Sequence, residues 1–396
     1  MALRRNLTIA SLRTFFAMFM LVVPVLVPYW RSLGLSMHDV LELQAIFGLA
    51  VAIFEVPTGY LADLFTRKGS VVLGSFMTAL SFSYLPFART YNELLVFELV
   101  NAFGASLVSG AKDALVYESI PPEASRKKIL GSFSQWGLVG EAVAAIVAGF
   151  LVLYSFSAVI WAQVAVGWVP FILSLLFVEP PRQKMSGGSH SGRFGEAVRA
   201  VLLSDPLTRL VFMNYVCWGL STFCIVWLQQ QYWTERGVPV SWFGVLWAAL
   251  MLIAAAASRL AHVVEAKIGA HRMLMAIALL PVIGYLIMAS SPALFGVSVG
   301  ALFYVVRGFC GVVYGDAFNW RIPSAYRATA NSMQSLFMRL GFAILGPILG
   351  LVVDSFGISS CFALLAALFL GCSVILAYPL VRRIDELHVG YIPPES

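Results

Sequence analysis

The chain has 396 residues, of which 60% are hydrophobic and only 12% are charged. Soluble domains are about half apolar and about a quarter charged, so this composition excludes an ordinary water-soluble protein and indicates the lipid bilayer as the solvent. The formal net charge of +6 does not indicate nucleic-acid binding, because the basic residues lie in short loops between apolar runs rather than on one amphipathic element.

Twelve apolar segments follow one another along the chain, each close to the roughly 20 residues that a membrane-spanning helix needs. We number them spans 1 to 12, at about 8–30, 40–62, 70–88, 93–117, 130–153, 157–178, 209–231, 242–263, 273–290, 293–317, 330–352 and 359–381. Arg4 and Arg5 precede span 1 as they would a signal peptide. The apolar run continues to about Trp30 without a small-residue cleavage site, so we expect span 1 to be retained as a helix.

A polar segment at 179–208, rich in glycine and serine over 186–192, separates the first six spans from the last six. Such a composition is typical of a flexible linker. The sequence therefore predicts an all-α membrane protein with twelve transmembrane helices in two pseudo-symmetric bundles. The predicted domains are residues 1–178 and 209–396, with the linker 179–208 between them.

The basic residues predict the orientation of the chain. With a cytoplasmic N-terminus, 18 of the 26 arginine and lysine residues fall in inside segments and three, Arg31, Arg89 and Arg236, fall outside. Inside segments of membrane proteins carry such an excess. We therefore expect a multi-pass protein of the plasma (bacterial inner) membrane whose termini and linker are cytoplasmic.

The two halves of the chain resemble each other. Gly140 and Gly149 of span 5 recur 201 residues later as Gly341 and Gly350 of span 11. An internal repeat of this kind, with six helices in each copy, is typical of secondary transporters that work by rocking two bundles.

Four spans carry polar or aromatic side chains at helical spacing, so that the side chains within each span share one face. They are Arg13 and Phe16 of span 1, Glu98, Asn101, Ser109 and Lys112 of span 4, Asn214, Trp218, Thr222 and Gln229 of span 7, and Tyr304, Arg307, Gly311 and Tyr314 of span 10. Charges within a bilayer cost about 3 kcal/mol on insertion scales, so they indicate function or a buried partner. The alternative interpretation is that each stripe only packs against neighbouring helices.

Several function classes lack their motifs. The sequence has no phosphate-binding G-x-x-x-x-G-K-[ST] loop and no H-E-x-x-H zinc motif. The five cysteines lie in apolar stretches without a C-x-x-C pair, and no histidine has the spacing of a catalytic triad. The sequence therefore predicts neither an enzyme nor a cofactor.

The segment Gly59-Tyr-Leu-Ala-Asp-Leu-Phe-Thr-Arg-Lys68 between spans 2 and 3 resembles the signature loop of the major facilitator superfamily, G-x-L-a-D-r-x-G-r-k. Gly59, Asp63, Arg67 and Lys68 match that pattern, as does the leucine at 61. The resemblance implies that Asp63 faces the start of span 11 and joins Arg67 and an acid of span 4, Asp113 or Glu118, in a cytoplasmic gate. The alternative is ordinary interfacial charge at loop ends.

The resemblance also implies that spans 1, 4, 7 and 10 line a central cavity. The predicted substrate-binding residues are Arg13, Phe16, Glu98, Asn101, Lys112, Asn214, Trp218, Tyr304, Arg307 and Tyr314. Arginine with aromatic rings suits an anionic or amphipathic solute. Arg307 is the favoured contact, and its alternative role is a salt bridge to span 4 or span 7.

Three acids are candidates to carry a proton, Glu98, Asp113 and Glu141, because burial favours the protonated carboxyl. Glu141 stands where the span 5 pattern of superfamily exporters has a proline. The predicted function is proton-coupled efflux of a small organic solute. The alternatives are an importer or uniporter of an organic anion or nutrient, and a lipid-handling or sensor protein on the same scaffold. The expected partners are the solute, H+ and the bilayer, without nucleic acid, and the chain is expected to be a monomer.

Overall fold

The computed structural model describes residues 2–64, 66–120, 126–179, 196, 198–203, 205–291, 295–323 and 326–383. Almost all of these residues are helical, and none of them forms a β-strand. The helices of the first half are Ala2–Ala17 and Leu26–Ser32 (span 1), Met37–Leu64, Arg67–Tyr84, Tyr91–Ser119, Arg126–Leu151 and Phe156–Leu175. Those of the second half are Pro206–Glu235, Phe243–Ile268, Ala270–Ser290, Phe295–Val299 with Ala301–Arg321 (span 10), Arg327–Cys372 and Tyr378–Arg382.

The described residues account for twelve membrane crossings. Within the described ranges, nine helices are long and apolar enough to cross a membrane, and Gln135–Leu151 of span 5 is a shorter apolar helix. One of the nine, Thr329–Arg382, contains two crossings because Gly357 turns the chain between spans 11 and 12 with φ +82°. Span 1 completes the twelve. Its predicted continuity is wrong, since the α-helix ends at Ala17 and a short 3-10 turn, Val23–Val25, precedes the second piece.

Short polar side chains set where several spans begin. Thr90 and Glu93 form a capping box at the start of span 4, and Ser155 accepts a hydrogen bond from the Ala158 amide at the start of span 6. Asp205 binds the backbone amides of Leu207 and Thr208 in the same way ahead of span 7. These caps satisfy amides that have no partner within the helix.

The helices group into two compact units. Unit 1 contains Met1–Lys184, Trp233–Ala249 and Gly346–Gly350, and unit 2 contains Met185–Tyr232, Leu250–Leu345 and Leu351–Ser396. The predicted domain boundaries at 178 and 209 stay a prediction, and residues 180–195 of the predicted linker lie outside the described residues.

Small residues allow close helix contacts within each unit. In unit 1, a Cβ atom on Gly104 of span 4 would lie 2.6 Å from the Thr78 hydroxyl oxygen of span 3. In unit 2, a Cβ atom on Gly308 of span 10 would lie 2.5 Å from the Ala254 carbonyl oxygen of span 8. Close backbone approach through small residues is how helices associate in lipid, where no hydrophobic force draws them together.

Candidate transport site

The polar face of span 4 contains one deeply buried acid. Glu98 is 2% exposed, and its carboxylate accepts a hydrogen bond of 2.7 Å from the Gln44 amide of span 2. Gln44 is itself 7% exposed. The structure therefore encloses a carboxyl group beside a neutral partner, an arrangement that leaves an ionised carboxylate without a compensating charge.

Further along span 4 the face is open. Ser109 donates a hydrogen bond of 3.4 Å to Glu55 of span 2, and both residues are exposed. Lys112 forms an ion pair of 3.2 Å with Asp113, whose side chain is 77% exposed. Asp113 was a candidate proton carrier because it was expected to be buried. The structure shows that it is exposed, so that argument does not apply to it. Asn101 is half-buried on this face.

Arg13 of span 1 is directed into unit 1. It is 4% exposed, and its guanidinium donates to the hydroxyls of Ser174 (Nε, 2.9 Å) and Ser75 (Nη2, 2.8 Å). Phe16 lies in an aromatic cluster with Phe15 and Phe19. Arg13 therefore bonds to spans 3 and 6 through Nη2 and Nε. Contact between Arg13 and a solute stays a prediction.

In unit 2, the stripe of span 7 is bonded within the bundle. Trp218 Nε1 donates to the Asn214 side-chain oxygen (3.0 Å), and Asn214 Nδ2 donates to the Leu376 carbonyl oxygen (3.0 Å). Both residues are 0% exposed. These contacts hold span 7 against the end of span 12, which is the packing role that competed with substrate binding.

The predicted face of span 10 differs from that of span 7 in carrying one exposed charged residue. Tyr304 is 1% exposed and its hydroxyl accepts a hydrogen bond of 2.7 Å from Gln229, while Tyr314 is also 1% exposed. Arg307 and Gly311 are exposed, and a Cβ atom on Gly311 would meet nothing within 4 Å. Of the residues predicted on this face, Arg307 is the exposed charged residue, and open space lies over Gly311 four residues later.

The predicted gate is described in part. Gly59 and Asp63 fall outside the residues whose side chains the structure describes. Arg67 forms an ion pair with Glu118, one of the two acids considered for span 4, and the role of this pair in a gate stays a prediction. Their side chains are 22% and 16% exposed. Lys68 is half-buried.

Two further acids accept hydrogen bonds from neighbouring helices. Glu179 accepts hydrogen bonds from the backbone amides of Arg67 (2.9 Å) and Lys68 (2.7 Å), which begin span 3. Glu141 is half-buried and accepts a hydrogen bond of 3.1 Å from Trp247 Nε1, and both residues belong to unit 1. Among the described residues, no group of three or more histidine, cysteine or acidic side chains has the geometry of a metal site.

Comparison with known proteins decides the family, because the sequence profile of the Major Facilitator Superfamily matches residues 7–320. The chain belongs to the major facilitator superfamily. Its fold agrees with that assignment. It superposes on a mutant of the nucleoside transporter NupG with a TM-score of 0.79 and 16% identity, covering 98% of this chain and 100% of NupG.

A second solved structure of the fold is the bacterial homologue of the human lysosomal transporter Spinster, in an inward-facing and unoccupied conformation. It gives a TM-score of 0.76 with 18% identity, covering 98% of this chain and 99% of the other. At these identities both likenesses concern the fold.

The curated relatives match a smaller part of this chain than the family profile does. The quinolone resistance protein NorA of Staphylococcus aureus is 25% identical over 168 residues, which are 42% of this chain and 43% of NorA. An uncharacterized MFS-type transporter, YwoD of Bacillus subtilis, is 30% identical over 159 residues, 39% of this chain and 34% of YwoD. The chain thus spans less than half the length of the curated relatives it matches.

Sequence reasoning missed Gln44, Glu179 and Trp247 as partners of the predicted site residues. Glu179 had a signal, since an acid just before Pro180 and Pro181 at the end of span 6 stands where it can cap a neighbouring helix. Gln44 and Trp247 had none, because helical spacing does not say which span packs opposite.

Proposed function

We propose that this superfamily member is a secondary transporter that exports small amphipathic or anionic organic solutes, driven by protons. Its membership of a transporter family and its twelve spans are established above. The direction, the coupling ion and the solute class are the proposal. The stretch of similarity to a quinolone resistance protein supports export of amphipathic compounds.

The observation that carries the solute class is the accessibility of Arg307. An exposed guanidinium within a membrane span is costly unless it meets water or a negative group. The open space at Gly311, one turn further along the same face, leaves room for a solute beside it. A guanidinium binds carboxylate or phosphate oxygens in a bidentate manner, so Arg307 would bind an anionic group of the solute.

The observation that supports proton coupling is the Glu98–Gln44 pair. Proton uptake by Glu98 removes a charge that the neutral amide cannot compensate, so the packing of span 4 on span 2 would depend on whether the proton is bound. Glu141 accepts a hydrogen bond from Trp247 and is the second candidate, whereas Asp113 is exposed and paired with Lys112.

We also propose the orientation and the gate. The excess of basic residues supports cytoplasmic termini and a bacterial inner-membrane location, and the Arg67–Glu118 ion pair supports a charge network at the end of spans 3 and 4 where Asp63 would act. The chain is proposed to work as a monomer.

The test is transport by the purified chain in proteoliposomes with an imposed pH gradient. A quinolone and a set of fluorescent organic anions would first be screened by the shift in melting temperature that each causes. We expect Arg307→Ala to lose at least 90% of the transport of anionic hits, and Arg307→Lys, which keeps the charge, to retain more than the alanine variant. Equal transport by Arg307→Ala and the unchanged chain, at equal reconstituted amounts, would remove Arg307 from the site.

A further inference from the structure

All five cysteines of the chain lie in unit 2, and four of them are shared between two helices that pack together. Cys217 and Cys224 are on span 7, and Cys361 and Cys372 are on span 12. Composition alone assigns them no role, since cysteine in an apolar helix behaves as a small hydrophobic residue. Across the interface between these helices, Cys217 pairs with Cys372 and Cys224 with Cys361. The first of these two pairs has a position that suits oxidation.

Two contacts fix how span 7 and span 12 face each other at Cys217. Asn214 bonds to the Leu376 carbonyl oxygen (3.0 Å), and the ring centroid of Trp218 lies 6.1 Å from that of Phe369. The residue number rises along one helix as it falls along the other, so the helices are antiparallel here. Cys217 lies between the two contact positions of span 7.

Cys372 occupies the matching place on span 12. Residues 369, 372 and 376 are three and four apart, so they share the face that meets span 7. The register of these two contacts therefore places Cys372 opposite Cys217 across the interface. A disulfide needs two cysteines whose Cβ atoms face each other across such an interface, and a hydrogen bond on one side and a ring contact on the other hold this pair of positions in register.

The second pair provides a contrast within the same interface. Cys224 and Cys361 are each 0% exposed, whereas Cys217 and Cys372 are both half-buried. Cysteine oxidation requires access of the oxidant to sulfur. Cys217 and Cys372 are therefore the more accessible pair, and Cys224 and Cys361 are a matched control within the same chain.

We propose that Cys217 and Cys372 are a redox-responsive dithiol, which a peroxide converts to a disulfide that ties span 7 to span 12. The two thiols lose two electrons and two protons as the S–S bond forms. The O–O bond of hydrogen peroxide breaks and takes up those electrons and protons, giving two water molecules. A thiol reductant reverses the step by exchange.

The bond would act on the helix that carries Asn214 and Trp218. In the dithiol form, hydrogen bonds and ring contacts hold span 7 to span 12 and allow small shifts between them. The disulfide replaces these with a covalent link and prevents such shifts. We expect oxidation to slow transport, a consequence that rests on the proposed function, whereas formation of the bond does not.

The experiment uses the full chain in lipid nanodiscs, treated with hydrogen peroxide, blocked with an alkylating agent and digested without reduction. We expect a peptide that links Cys217 to Cys372 in the unchanged chain and in C224A/C361A, its loss in C217A and in C217S, and its disappearance on reduction. A link through Cys310 or Cys224 instead, two separately oxidised cysteines, or two alkylated thiols at peroxide doses that oxidise a surface-cysteine standard would each overturn the assignment.

The same samples in proteoliposomes test the consequence. We expect peroxide to slow C224A/C361A at least fivefold, with recovery on reduction, and to leave C217A unaffected. A linked peptide with an unchanged transport rate would overturn the regulatory effect while the disulfide stands. Absence of transport by every untreated variant would instead count against the proposed function, and the peptide result would remain decisive for the pair.

Discussion

The side-chain amide of Asn6 pairs with the backbone of Val178 through two hydrogen bonds. Asn6 Nδ2 donates to the Val178 carbonyl oxygen (2.7 Å), and the Val178 amide donates to Asn6 Oδ1 (2.9 Å). Asn6 Nδ2 also donates to the Ser119 hydroxyl oxygen (2.9 Å). One fully buried residue near the start of the chain therefore joins span 1 to the ends of spans 4 and 6.

Replacing Asn6 by alanine should destabilise unit 1. The change removes both hydrogen bonds to the Val178 backbone and the one to the buried Ser119 hydroxyl, and a buried group left unpaired costs about 1–3 kcal/mol. We expect a lower melting temperature in detergent than for the unchanged chain. Thr8→Ala, an exposed position on the same helix, is the control, and equal melting temperatures for the two variants would contradict the assigned role of Asn6.

Replacing Glu98 by glutamine should uncouple transport from protons while preserving the fold. The new amide can still bond to Gln44, so packing of span 4 on span 2 is retained, but the group can no longer take up and release a proton. We expect accumulation driven by a pH gradient to fall at least tenfold and exchange of solute down its own gradient to continue. Glu55→Gln, an exposed acid of span 2, should keep its pH-driven accumulation. Normal accumulation by Glu98→Gln would exclude Glu98 as the proton carrier.

The Arg67–Glu118 pair should show measurable energetic coupling. Both side chains are largely buried, so removing either one leaves the other without its counter-charge. A double-mutant cycle of the two alanine variants, followed by thermal unfolding, should give a coupling free energy of about 0.5–3 kcal/mol. The Lys112–Asp113 pair, whose aspartate side chain is 77% exposed, should give about 0–1 kcal/mol in the same cycle. Coupling no greater than that of the control pair would show that the ion pair contributes nothing to the gate.

Asp205 should make the stability of unit 2 depend on pH in the acidic range. Burial by itself would raise the pKa of Asp205, but hydrogen bonds from Thr208 and the Leu207 amide, with the charge of Arg321, outweigh it and lower that pKa below its ordinary 3.8. The Arg321–Asp205 pair has an N–O distance of 3.2 Å. A carboxyl whose pKa is lower in the folded state adds stability above its unfolded pKa, and this stability is lost as the pH falls through the folded pKa.

Asp205→Asn should therefore melt at a lower temperature than the unchanged chain at pH 7, and the difference should narrow at about pH 3. Asp316→Asn, an exposed acid of span 10, should show a smaller difference at pH 7. A deficit of the same size at both pH values would mean that the carboxylate charge of Asp205 is not the stabilising feature.

The two halves use different chemistry at the same junction. Asp205 lies 199 residues after Asn6, and Arg321 lies 202 residues after Ser119. The first half joins its first and fourth spans there with a neutral amide–hydroxyl bond, while the second half joins the matching spans with an ion pair. Glycine spacing made the repeat visible in the sequence. The correspondence between the Asn6–Ser119 and Asp205–Arg321 contacts was not visible, because the residues at these positions differ between the halves.

Apolar length predicted the twelve spans, because lipid requires each crossing to satisfy its own backbone. Helical periodicity also placed Asn214 and Trp218 on one face correctly. It could not say that this face meets span 12, since sequence spacing fixes the direction of a side chain within its helix and leaves the neighbouring helix open. The same limit explains why Gln44, the partner of Glu98, was not foreseen.

The single-residue turn at Gly357 limits how antibodies and proteases can bind the protein at the junction of spans 11 and 12. Spans 11 and 12 join without any loop, and the backbone conformation of Gly357 disfavours residues with a side chain by about 1–3 kcal/mol. An antibody or a protease therefore finds no extended peptide between these spans. Epitope tags for following the protein in cells belong elsewhere on the chain.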